Sequence, residues 1–494
     1  MSDLKIVVNQ ISPVIARLIN MSVKQHIFPN KLKEAIVRPV FKKGTRNNYS
    51  NYRPIAILSS VDKIIEKCII NQLSNYLQKN SILNSCQHGF QKGKSTNTLL
   101  SNFTNEINAH LNNKNFVVTV LFDFKKAFDT LETNTLLNAM EECGVVEPLN
   151  NWFRDYLTSR SFKVRIEDTF SDGKAVLCGV PQGSGCGPVC YLMHVNSLCG
   201  VLKHCSAHMF ADDLCAMRAG TDLAETCRLV QTDIDAVVKW SHDNGIVLNT
   251  DKTKLLIVHS PYLPLSQTYS MFTHTFECIH NQFKTCICKP IERVKTVTYL
   301  GMRVDEHFSW TTHIDYIYDK LKVLLGKFYH LSYKVPIKTL KCLYMALVDS
   351  ILSYSLDCYG LTTKTNLNKL ENMQIRFLKL LVSKKIKDKY KHNYRMLFKF
   401  CNILPVSLKH KYLLAVNNHS SISSLILLNT NHTTRSVTSG KYEVPRVNNY
   451  FGDRTLDKRL PYFLNSLPEY IRTEANIHKS KRLLRKHLLQ SLEC

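Results

Sequence analysis

The sequence has few acidic residues for its size and no long apolar run. It carries 39 Asp and Glu against 65 Lys and Arg, a formal net charge of +26, and the basic excess runs along the whole chain. Such a balance favours a polyanionic partner. The sequence has no apolar stretch of membrane-spanning length, no signal peptide and no lipidation motif. We therefore expect an intracellular protein with no membrane partner.

Internal repeats and low-complexity linkers are also missing. With 494 residues, 44% of them hydrophobic, the chain is expected to bury a large core, divided among roughly two to four domains or lobes. Its 17 cysteines are odd in number and irregularly spaced. Without a secretory signal, this pattern predicts reduced thiols, mostly in the core, rather than a disulfide framework.

One segment is rich in metal-binding residue types. It contains His274, Cys278, His280, Cys286 and Cys288. The segment lacks the paired Cys-x2-Cys and His-x3-His spacing of a zinc site. We expect a polar hairpin here, followed by a strand and turn over 291–301, with zinc binding as the alternative.

Two adjacent aspartates, Asp212 and Asp213, lie within an apolar frame. A regular strand points successive side chains to opposite faces, whereas a hairpin tip presents both carboxylates to one site. An upstream apolar run over 117–122 ends at Asp123, which we expect to converge with the pair. Hard oxygen donors of this kind suit Mg²⁺, and two such ions activate an attacking hydroxyl and stabilise a leaving pyrophosphate. Solvated turn aspartates and an unrelated strand cap are the alternative.

Two glycine-bearing segments suggest close approach by a ligand. The segment 87–96 places two glycines and two lysines, Lys92 and Lys94, before a helix. This arrangement suits a triphosphate but also a solvated helix start. The glycine-rich segment 178–188 precedes an apolar helix. Its glycines would allow a ligand or another backbone to approach closely, and a plain turn into a buried helix is the alternative interpretation.

Hydrophobic spacing predicts the elements around these segments. It predicts a strand over 35–41, a helix over 60–80 and a mainly helical region from Thr311 onward. Basic residues cluster at 384–392 and again at 479–486. These clusters are either solvated helix faces or contacts with a nucleic-acid backbone.

A series of short motifs runs in order across residues 35 to 310. They are Asn51-Tyr52-Arg53-Pro54-Ile55, Gly89-Phe90, Phe122-Asp123 with Ala127-Phe128-Asp129, Gly179-Val180-Pro181-Gln182-Gly183-Ser184, Phe210-Ala211-Asp212-Asp213, Asn249 with Lys252-Thr253, and Tyr299-Leu300-Gly301. In this order they resemble the reverse transcriptase of non-LTR, LINE-type retrotransposons, and the jockey-like groups are most similar. A weaker resemblance continues to Asn465-Ser466-Leu467-Pro468.

The resemblance implies an α+β fold of the right-hand polymerase type. Fingers and an antiparallel-sheet palm would be followed by a helical thumb and a basic C-terminal region. The implied boundaries are 1–34 for an N-terminal helical extension, 35–305 for fingers and palm, 306–400 for the thumb, and 401–494 for the basic C-terminal region.

The resemblance also implies an RNA-directed DNA polymerase that extends a DNA primer on an RNA template with deoxynucleoside triphosphates. Two Mg²⁺ ions would be held by Asp123, Asp212, Asp213 and the backbone carbonyl of Phe124. Lys252 would protonate or neutralise the pyrophosphate leaving group. Copying into chromosomal DNA implies presence in the nucleus as well as the cytoplasm, and no oligomeric state is implied.

Further site residues follow from the same resemblance. Phe128 matches an aromatic that excludes a 2′-hydroxyl, although a core phenylalanine is its alternative, and Gln182 would lie near the incoming nucleotide. The implied nucleotide-binding residues are Arg53, Lys92, Lys94, Phe124, Phe128, Gln182 and Gly183. The implied primer-binding residues are Tyr299, Leu300 and Gly301, and the thumb helices would grip the minor groove of the hybrid.

The sequence also departs from the family pattern. Gln91 stands where many relatives have an arginine that binds the triphosphate bidentately. We also expect the family's amino-terminal endonuclease and a carboxyl-terminal zinc knuckle to be missing. A catalytically inactive, retroelement-derived nucleic-acid-binding protein is therefore the second hypothesis. An RNA polymerase with the same palm is the third, and Phe128 disfavours it.

Overall fold

The structure is a computed structural model that describes residues 8–125, 130–263, 265, 269–284, 286–427 and 440–492. Strands are concentrated in the first two thirds of the chain. Numbered in chain order, they are β1 (Glu34–Phe41), β2 (Tyr52–Ile57), β3 (Phe116–Phe122), β4 (Phe124–Lys125), β5 (Ser161–Ile166), β6 (Thr169–Phe170), β7 (Lys174–Ala175), β8 (Ser206–Phe210), β9 (Asp213–Gly220), β10 (Val247–Leu248), β11 (Lys254–Val258), β12 (Glu292–Arg293), β13 (Thr296–Tyr299) and β14 (Met302–Asp305).

Helices surround these strands and make up most of the last third of the chain. They are α1 (Val8–Gln25), α2 (Ser60–Lys79), α3 (Thr96–Asn112), α4 (Thr133–Glu142), α5 (Leu149–Leu157), α6 (Cys186–His194), α7 (Leu223–Asp243), α8 (Phe276–His280), α9 (Thr311–Ser332), α10 (Ile337–Leu343), α11 (Ser350–Ser353), α12 (Leu356–Tyr359), α13 (Lys364–Leu380), α14 (Lys384–Lys389), α15 (Met396–Cys401), α16 (Val406–Asn417), α17 (Leu456–Asn465), α18 (Glu469–Arg472) and α19 (Ile477–Gln490). A π-helical turn, Tyr344–Asp349, joins α10 to α11.

The central sheet has the strand order β12-β11-β3-β9-β8, and β3 pairs antiparallel with both β9 and β11. Both faces of β3 are buried, which explains why its residues are apolar apart from Thr119. Val118 and Val120 enter a core shared with α2, α4, α5, α6 and α7. Val117 and Leu121 enter a second core shared with α3, α9, α10 and α13. The sheet is therefore fixed between two layers of helices.

A second, outer sheet is built from β1, β2, β5, β6 and β7. Strand β1 lies between its antiparallel neighbour β2 and its parallel neighbour β5. A small core fills one face of this sheet, with Ala35, Val37, Ala56 and Leu58 buried. The backbone amide of Ala56 donates to the carbonyl of Gln182 at 2.7 Å. This contact joins the outer sheet to the glycine-rich turn that leads into α6.

The C-terminal helices pack back onto the central part of the molecule. A third core is formed within α16, α17, α18 and α19. The side-chain amide of Asn449 donates to the carbonyls of Leu111 and Asn112, both at 3.1 Å, at the end of α3. The backbone amide of Leu456 donates to Asn105 Oδ1 at 2.5 Å. The C-terminal region is thus anchored to a helix that also supports the central sheet.

The cysteines differ from expectation at one place. Cys86 and Cys199 form a disulfide across a sequence separation of 113, so the prediction of reduced thiols is wrong for this pair. The two residues meet because the carbonyl of Cys86 accepts from the amide of Met209, on the edge strand β8, at 3.2 Å. Cys199 Sγ lies 3.7 Å from the Met209 sulfur. Such tertiary proximity is not visible in cysteine spacing.

Over the described residues, every helix is too short or too polar to cross a membrane.

Candidate active site

The adjacent aspartates lie at the tip of the hairpin formed by β8 and β9. Phe210 pairs with Asp213, which leaves Ala211 and Asp212 as the turn. Ala211 adopts a left-handed conformation, φ 55°. The short turn keeps both carboxylates at the same end of the hairpin.

Asp123 lies beside this tip because of the register between β3 and β9. Phe122 pairs with Leu214 in an antiparallel register. Asp123, which follows Phe122, and Asp213, which precedes Leu214, therefore lie at the same edge of the sheet. Both residues line one cleft of about 450 Å³. The structure therefore brings the carboxylates of the upstream strand and of the hairpin together.

The electrostatics of the site reflect this crowding of negative charge. Desolvation raises the pKa of Asp213 to about 6, with added repulsion from Asp212 and Asp123. Desolvation also raises the pKa of Asp212, and Asp123 contributes in the same direction. The positive charges of Lys42 and Arg53 act to lower the pKa of Asp212. The site thus combines mutually repelling carboxylates with basic groups of the outer sheet.

Asn249 holds Asp123 in place, although sequence reasoning did not single it out as a site residue. Its side-chain amide donates to Asp123 Oδ2 at 2.6 Å, and its backbone amide donates to the Asp123 carbonyl at 2.7 Å. Lys252 Nζ lies 3.7 Å from the same Oδ2. The Asn249 carbonyl accepts from Thr253 Oγ1 at 3.0 Å, which shapes the turn that carries Lys252. The signal in the sequence was the spacing of Asn249 from Lys252-Thr253.

Gln87 is a second residue that sequence reasoning missed. Its buried Oε1 accepts from the amides of Ala211 at 2.9 Å and Gly89 at 2.7 Å, and its Nε2 donates to the Ala211 carbonyl at 3.2 Å. A Cβ on Gly89 would lie 2.4 Å from the Ala211 amide nitrogen. The segment around Gln87 therefore supports the hairpin turn directly before Asp212. A polar residue beside Gly89-Phe90 was its only visible sign in the sequence.

Basic residues of the outer sheet approach the site from β1 and β2. Arg53 is exposed on β2, opposite Val40 of β1, and Lys42 directly follows β1. Both charges act to lower the pKa of Asp212, so both lie near enough to the hairpin tip to interact with its carboxylate. Lys42 was not predicted as a site residue, since the sequence shows it only as the basic end of a strand.

The glycine-rich turn packs on the outer sheet at Gly183. Its φ is +112°, and an added Cβ would lie 2.7 Å from the carbonyl oxygen of Ala56. The close approach of the Gly183 backbone to a neighbouring strand therefore requires glycine at this position. Gln182, with its carbonyl bonded to the Ala56 amide, is half-buried at the same junction.

The remaining predicted nucleotide-binding residues have different environments. The Lys94 ammonium donates to the carbonyls of Ser85 and Gln87, each at 2.9 Å, whereas Lys92 is exposed. Phe124 is buried on β4 and pairs with Leu248. Phe128 lies outside the described residues. Lys92 is thus the more available of the two lysines, because Lys94 already binds the loop backbone.

The predicted primer-binding turn connects β13 to β14. The buried Tyr299 donates its hydroxyl to the carbonyl of His208, on β8, at 2.9 Å. The Tyr354 hydroxyl donates to the carbonyl of Leu300 at 2.5 Å, and Gly301 has a φ of +84°. Tyr299, Leu300 and Gly301 line the same cleft as Asp123 and Asp213. The turn is therefore held next to the carboxylates from two sides.

Comparison with protein families decides the family of this chain. The model described as "Reverse transcriptase (RNA-dependent DNA polymerase)" matches residues 40–304, more than half of the chain. The chain belongs to the reverse transcriptase family. The α+β right-hand polymerase fold predicted from the sequence is thereby confirmed. In the central sheet, β11, β3, β9 and β8 pair antiparallel, and only β12 is added parallel to β11. Divalent metal ions are the cofactors of this reverse transcriptase family.

The similar proteins point to non-LTR retrotransposons. The reverse transcriptase chain is 24% identical to the "Probable RNA-directed DNA polymerase from transposon BS" of Drosophila melanogaster, over 74% of this chain and 40% of that protein. It is 22% identical to the "RNA-directed DNA polymerase from mobile element jockey" of the same organism, over 76% of this chain and 40% of that protein. The resemblance to jockey-like elements is confirmed. The chain spans about 40% of the length of these relatives.

Among solved structures, the reverse transcriptase chain is similar to "Structure of telomerase from Candida albicans in complexe with TWJ fragment of telomeric RNA". The TM-score is 0.37 at 12% sequence identity, over 83% of this chain and 67% of that chain.

Proposed function

We propose that this chain is an RNA-directed DNA polymerase of a non-LTR retrotransposon, extending a DNA primer on an RNA template with deoxynucleoside triphosphates. The observation that carries the proposal is the register of β3 and β9, which places Asp123 beside Asp213 at the hairpin tip. The names of the relatives from BS and jockey support the same activity.

The donor set at the tip fits divalent magnesium. Asp123 and Asp213 offer hard carboxylate oxygens in an open cleft, and Asp212 adds a third carboxylate at the adjoining hairpin turn. Mg²⁺ prefers such oxygens together with water and substrate phosphates. The backbone carbonyl of Phe124 would be a further ligand. When bound, two Mg²⁺ ions supply activation of the primer 3′-hydroxyl and stabilisation of the charge on the transferring phosphate.

The side chains around the carboxylates have distinct tasks in this proposal. Asn249 occupies Oδ2 of Asp123 and so fixes the orientation of that carboxylate. Lys252, exposed beside Asp123, donates a proton to the leaving pyrophosphate or neutralises it. Arg53 and Lys42 bind the triphosphate from the outer sheet, since their charges already act on Asp212.

Further contacts position the nucleotide and the primer. We propose that Lys92 rather than Lys94 reaches the triphosphate, because the Lys94 ammonium is held by two carbonyls. Gln182 and Gly183 contact the nucleotide and template base, and Phe128 excludes the 2′-hydroxyl. The turn Tyr299-Leu300-Gly301, which lines the cleft with the carboxylates, steadies the primer end.

The lobes follow the boundaries implied by the sequence. Residues 35–305 would form fingers and palm, 306–400 the thumb, 401–494 the basic C-terminal region and 1–34 a helical extension. Helix α9 supports the thumb assignment, because it buries Ile314 and Leu321 while Lys320, Lys322 and Lys327 remain exposed. These lysines would contact the backbone of the RNA–DNA hybrid. Synthesis of this kind places the chain in the nucleus as well as the cytoplasm.

Primer extension tests the proposal. The chain is expected to extend a DNA primer on an RNA template in the presence of Mg²⁺, and Asp212→Asn is expected to reduce the rate at least 100-fold, because a metal ligand is lost. The exposed Asp172, which belongs to none of the site motifs, provides the matched control Asp172→Asn. Equal extension by Asp212→Asn and wild type would refute the assignment of this ligand.

The same assay separates the alternatives raised by the sequence. A catalytically inactive binder would retain RNA binding and show no extension. An RNA polymerase would incorporate ribonucleotides as fast as deoxynucleotides.

A further inference from the structure

Metal-binding side chains converge at a second place, in the segment between β11 and β12. One ligand atom each of His274, Cys278, Cys286 and Cys288 lies within 4.8 Å of all the others. Nδ1 of His274 is 3.7 Å from Cys278 Sγ and 3.4 Å from Cys286 Sγ. Tetrahedral zinc with its usual bond lengths would separate a nitrogen and a sulfur ligand by about 3.6 Å. The two observed nitrogen–sulfur distances agree with this value.

Local folding explains how ligands with unusual spacing come together. Helix α8 begins directly after Thr275, whose hydroxyl accepts from the amide of Cys278 at 3.2 Å. This helical turn positions Cys278 near His274. Gln282 and Phe283 then take left-handed conformations and reverse the chain, so that Cys286 returns to the same point. The expected polar hairpin is therefore wrong, because a helix and a reversal occupy the segment.

The fourth ligand and the histidine are also positioned by their neighbours. The amide of Thr275 donates to Cys288 Sγ at 3.4 Å, a contact that stabilises negative charge on sulfur. The His274 ring stacks on Phe272, with ring centroids 5.5 Å apart, and contacts Phe283 at 4.7 Å. His280, grouped with these residues in the sequence, instead stacks on Phe276. The structure thus selects His274 over His280.

We propose that His274, Cys278, Cys286 and Cys288 form a structural zinc site. The donor set has one imidazole and three thiolates, which favours zinc over the hard Mg²⁺ of the active site. Four protein ligands fill a tetrahedral shell and leave no position for a substrate, so the site stabilises the fold and takes no part in catalysis. It does not depend on the proposed polymerase activity.

The position of the site indicates what the metal stabilises. The segment carrying the cysteines is poor in buried side chains, and Ile287 is 97% exposed. The segment is attached to α7 through Gln231, which bonds both the amide of Phe272, at 2.8 Å, and its carbonyl, at 2.9 Å, and through the stacking of Phe276 on His242. A metal clip is how short segments without a core are commonly stabilised. Strand β12 and the primer-binding turn follow directly.

A carboxylate lies next to the proposed site. Asp235 of α7 and His274 line the same cleft, and Asp235 Oδ1 accepts from Gln231 Nε2 at 2.9 Å. Histidine ligands of zinc are commonly oriented by such a neighbouring carboxylate.

Metal analysis of the full-length chain tests the proposal. The protein purified under reducing conditions without added chelator is expected to contain about one zinc per chain, measured by inductively coupled plasma mass spectrometry. Replacement of zinc by Co²⁺ is expected to produce thiolate-to-cobalt charge-transfer absorption and the visible spectrum of tetrahedral Co²⁺. A chain with reduced thiols and no zinc, or an octahedral Co²⁺ spectrum, would overturn the proposal.

Matched variants locate the ligands. His274→Ala and Cys286→Ser are expected to lose most of the bound zinc, whereas His280→Ala and Cys342→Ser, an exposed cysteine on another part of the surface, are expected to keep it. The active-site variant Asp212→Asn is also expected to keep its zinc, which separates this site from the catalytic metals. Zinc loss in His280→Ala as large as in His274→Ala would contradict the assignment.

Discussion

At the scale of single residues, the active site depends on side chains that hold the backbone beside the carboxylates. Gln87 bonds both polar backbone groups of Ala211, the residue before Asp212. The side-chain amide of Asn249 bonds the Asp123 carboxylate, and its backbone amide bonds the Asp123 carbonyl. These two amides connect the carboxylates to segments that are far apart in the sequence. The geometry of the carboxylates is therefore set by neutral residues.

The contact of Gln87 leads to a prediction for the variant Gln87→Leu. The substitution leaves the buried backbone amide and carbonyl of Ala211 without partners, a cost of about 1–3 kcal/mol. We expect kcat for primer extension to fall about tenfold or more, while KM for the deoxynucleotide changes little. Steady-state kinetics on an RNA template measure both quantities.

The matched control for this variant is Gln72→Leu on α2. Gln72 is exposed and makes only a local contact to the Cys68 carbonyl, at 3.4 Å. The variant Gln72→Leu should leave kcat for primer extension unchanged. An unaltered kcat in Gln87→Leu would show that the hairpin turn needs no support from this side chain.

Prediction from sequence was uneven at this scale. Asp123, Asp212 and Asp213 stand out, because carboxylates within apolar strands are rarely placed there by folding alone. Gln87 and Lys42 do not stand out, since a polar residue next to a glycine and a basic strand end are common on any surface. Their importance arises from partners that only the folded chain supplies.

At the scale of elements, the apolar pattern predicts the central strands well. The apolar run over 117–122 becomes β3, and the predicted helix over 60–80 is observed as α2, Ser60–Lys79. The cysteine and histidine segment between β11 and β12 was predicted incorrectly, because its ligand spacing passes through a helix and a chain reversal. Hydrophobic periodicity indicates regular helices and strands, but it gives no information about such turns.

Helix α2 carries a buried acidic pair under the glycine-rich turn. Glu66 accepts from the amide of Gly185 at 2.6 Å and from the Tyr156 hydroxyl. Asp62, fully buried one turn earlier, lies 3.9 Å from Arg160. The pKa of Asp62 is raised to about 7, chiefly by burial and also by repulsion from Glu66, while Arg160 and Lys63 act to lower it. Burial outweighs the ion pair because the separation from Arg160 is long.

This buried carboxyl predicts a pH dependence of stability. The folded-state pKa of Asp62 exceeds its ordinary value of 3.8, so its contribution to stability is fully present below that value and is lost as pH rises through about 7. Between pH 5 and pH 8 the loss is on the order of 3 kcal/mol. We expect Asp62→Asn to flatten the dependence, measured as the free energy of urea-induced unfolding at both pH values.

A residual slope should remain in Asp62→Asn, since burial also raises the pKa of Glu66. The exposed Asp172→Asn is the control and should leave the full slope in place. A slope in Asp62→Asn equal to that of wild type would mean that Asp62 is ionised at both pH values.

At the scale of the whole molecule, charge dominates the expected behaviour. The formal net charge of +26 is carried by residues along the whole chain, including the exposed lysines of α9 and α14. Binding of an RNA–DNA hybrid should therefore depend steeply on salt. If about six to ten phosphates are contacted, the affinity should fall by about 10³ to 10⁵ between 50 mM and 200 mM salt. Fluorescence anisotropy with a labelled hybrid measures this change.

The variant Asp212→Asn is the control for this measurement. It should bind the hybrid with the salt dependence of wild type, because the contacts to phosphates lie elsewhere on the surface. Salt-independent binding would contradict the proposed electrostatic interface.

The sequence alone determined the family, the core strands and the identity of the candidate carboxylates. Apolar periodicity and ordered short motifs are local properties, so they can be recognised along the chain without the folded structure. Tertiary structure decided which polar groups act together. The pairing of β3 with β9 brings Asp123 to Asp213, the loop at Gln87 supports Ala211, and the reversal after α8 gathers His274 with three cysteines. Which of these residues meet depends on strand register, loop path and chain reversal, and the sequence pattern does not show these.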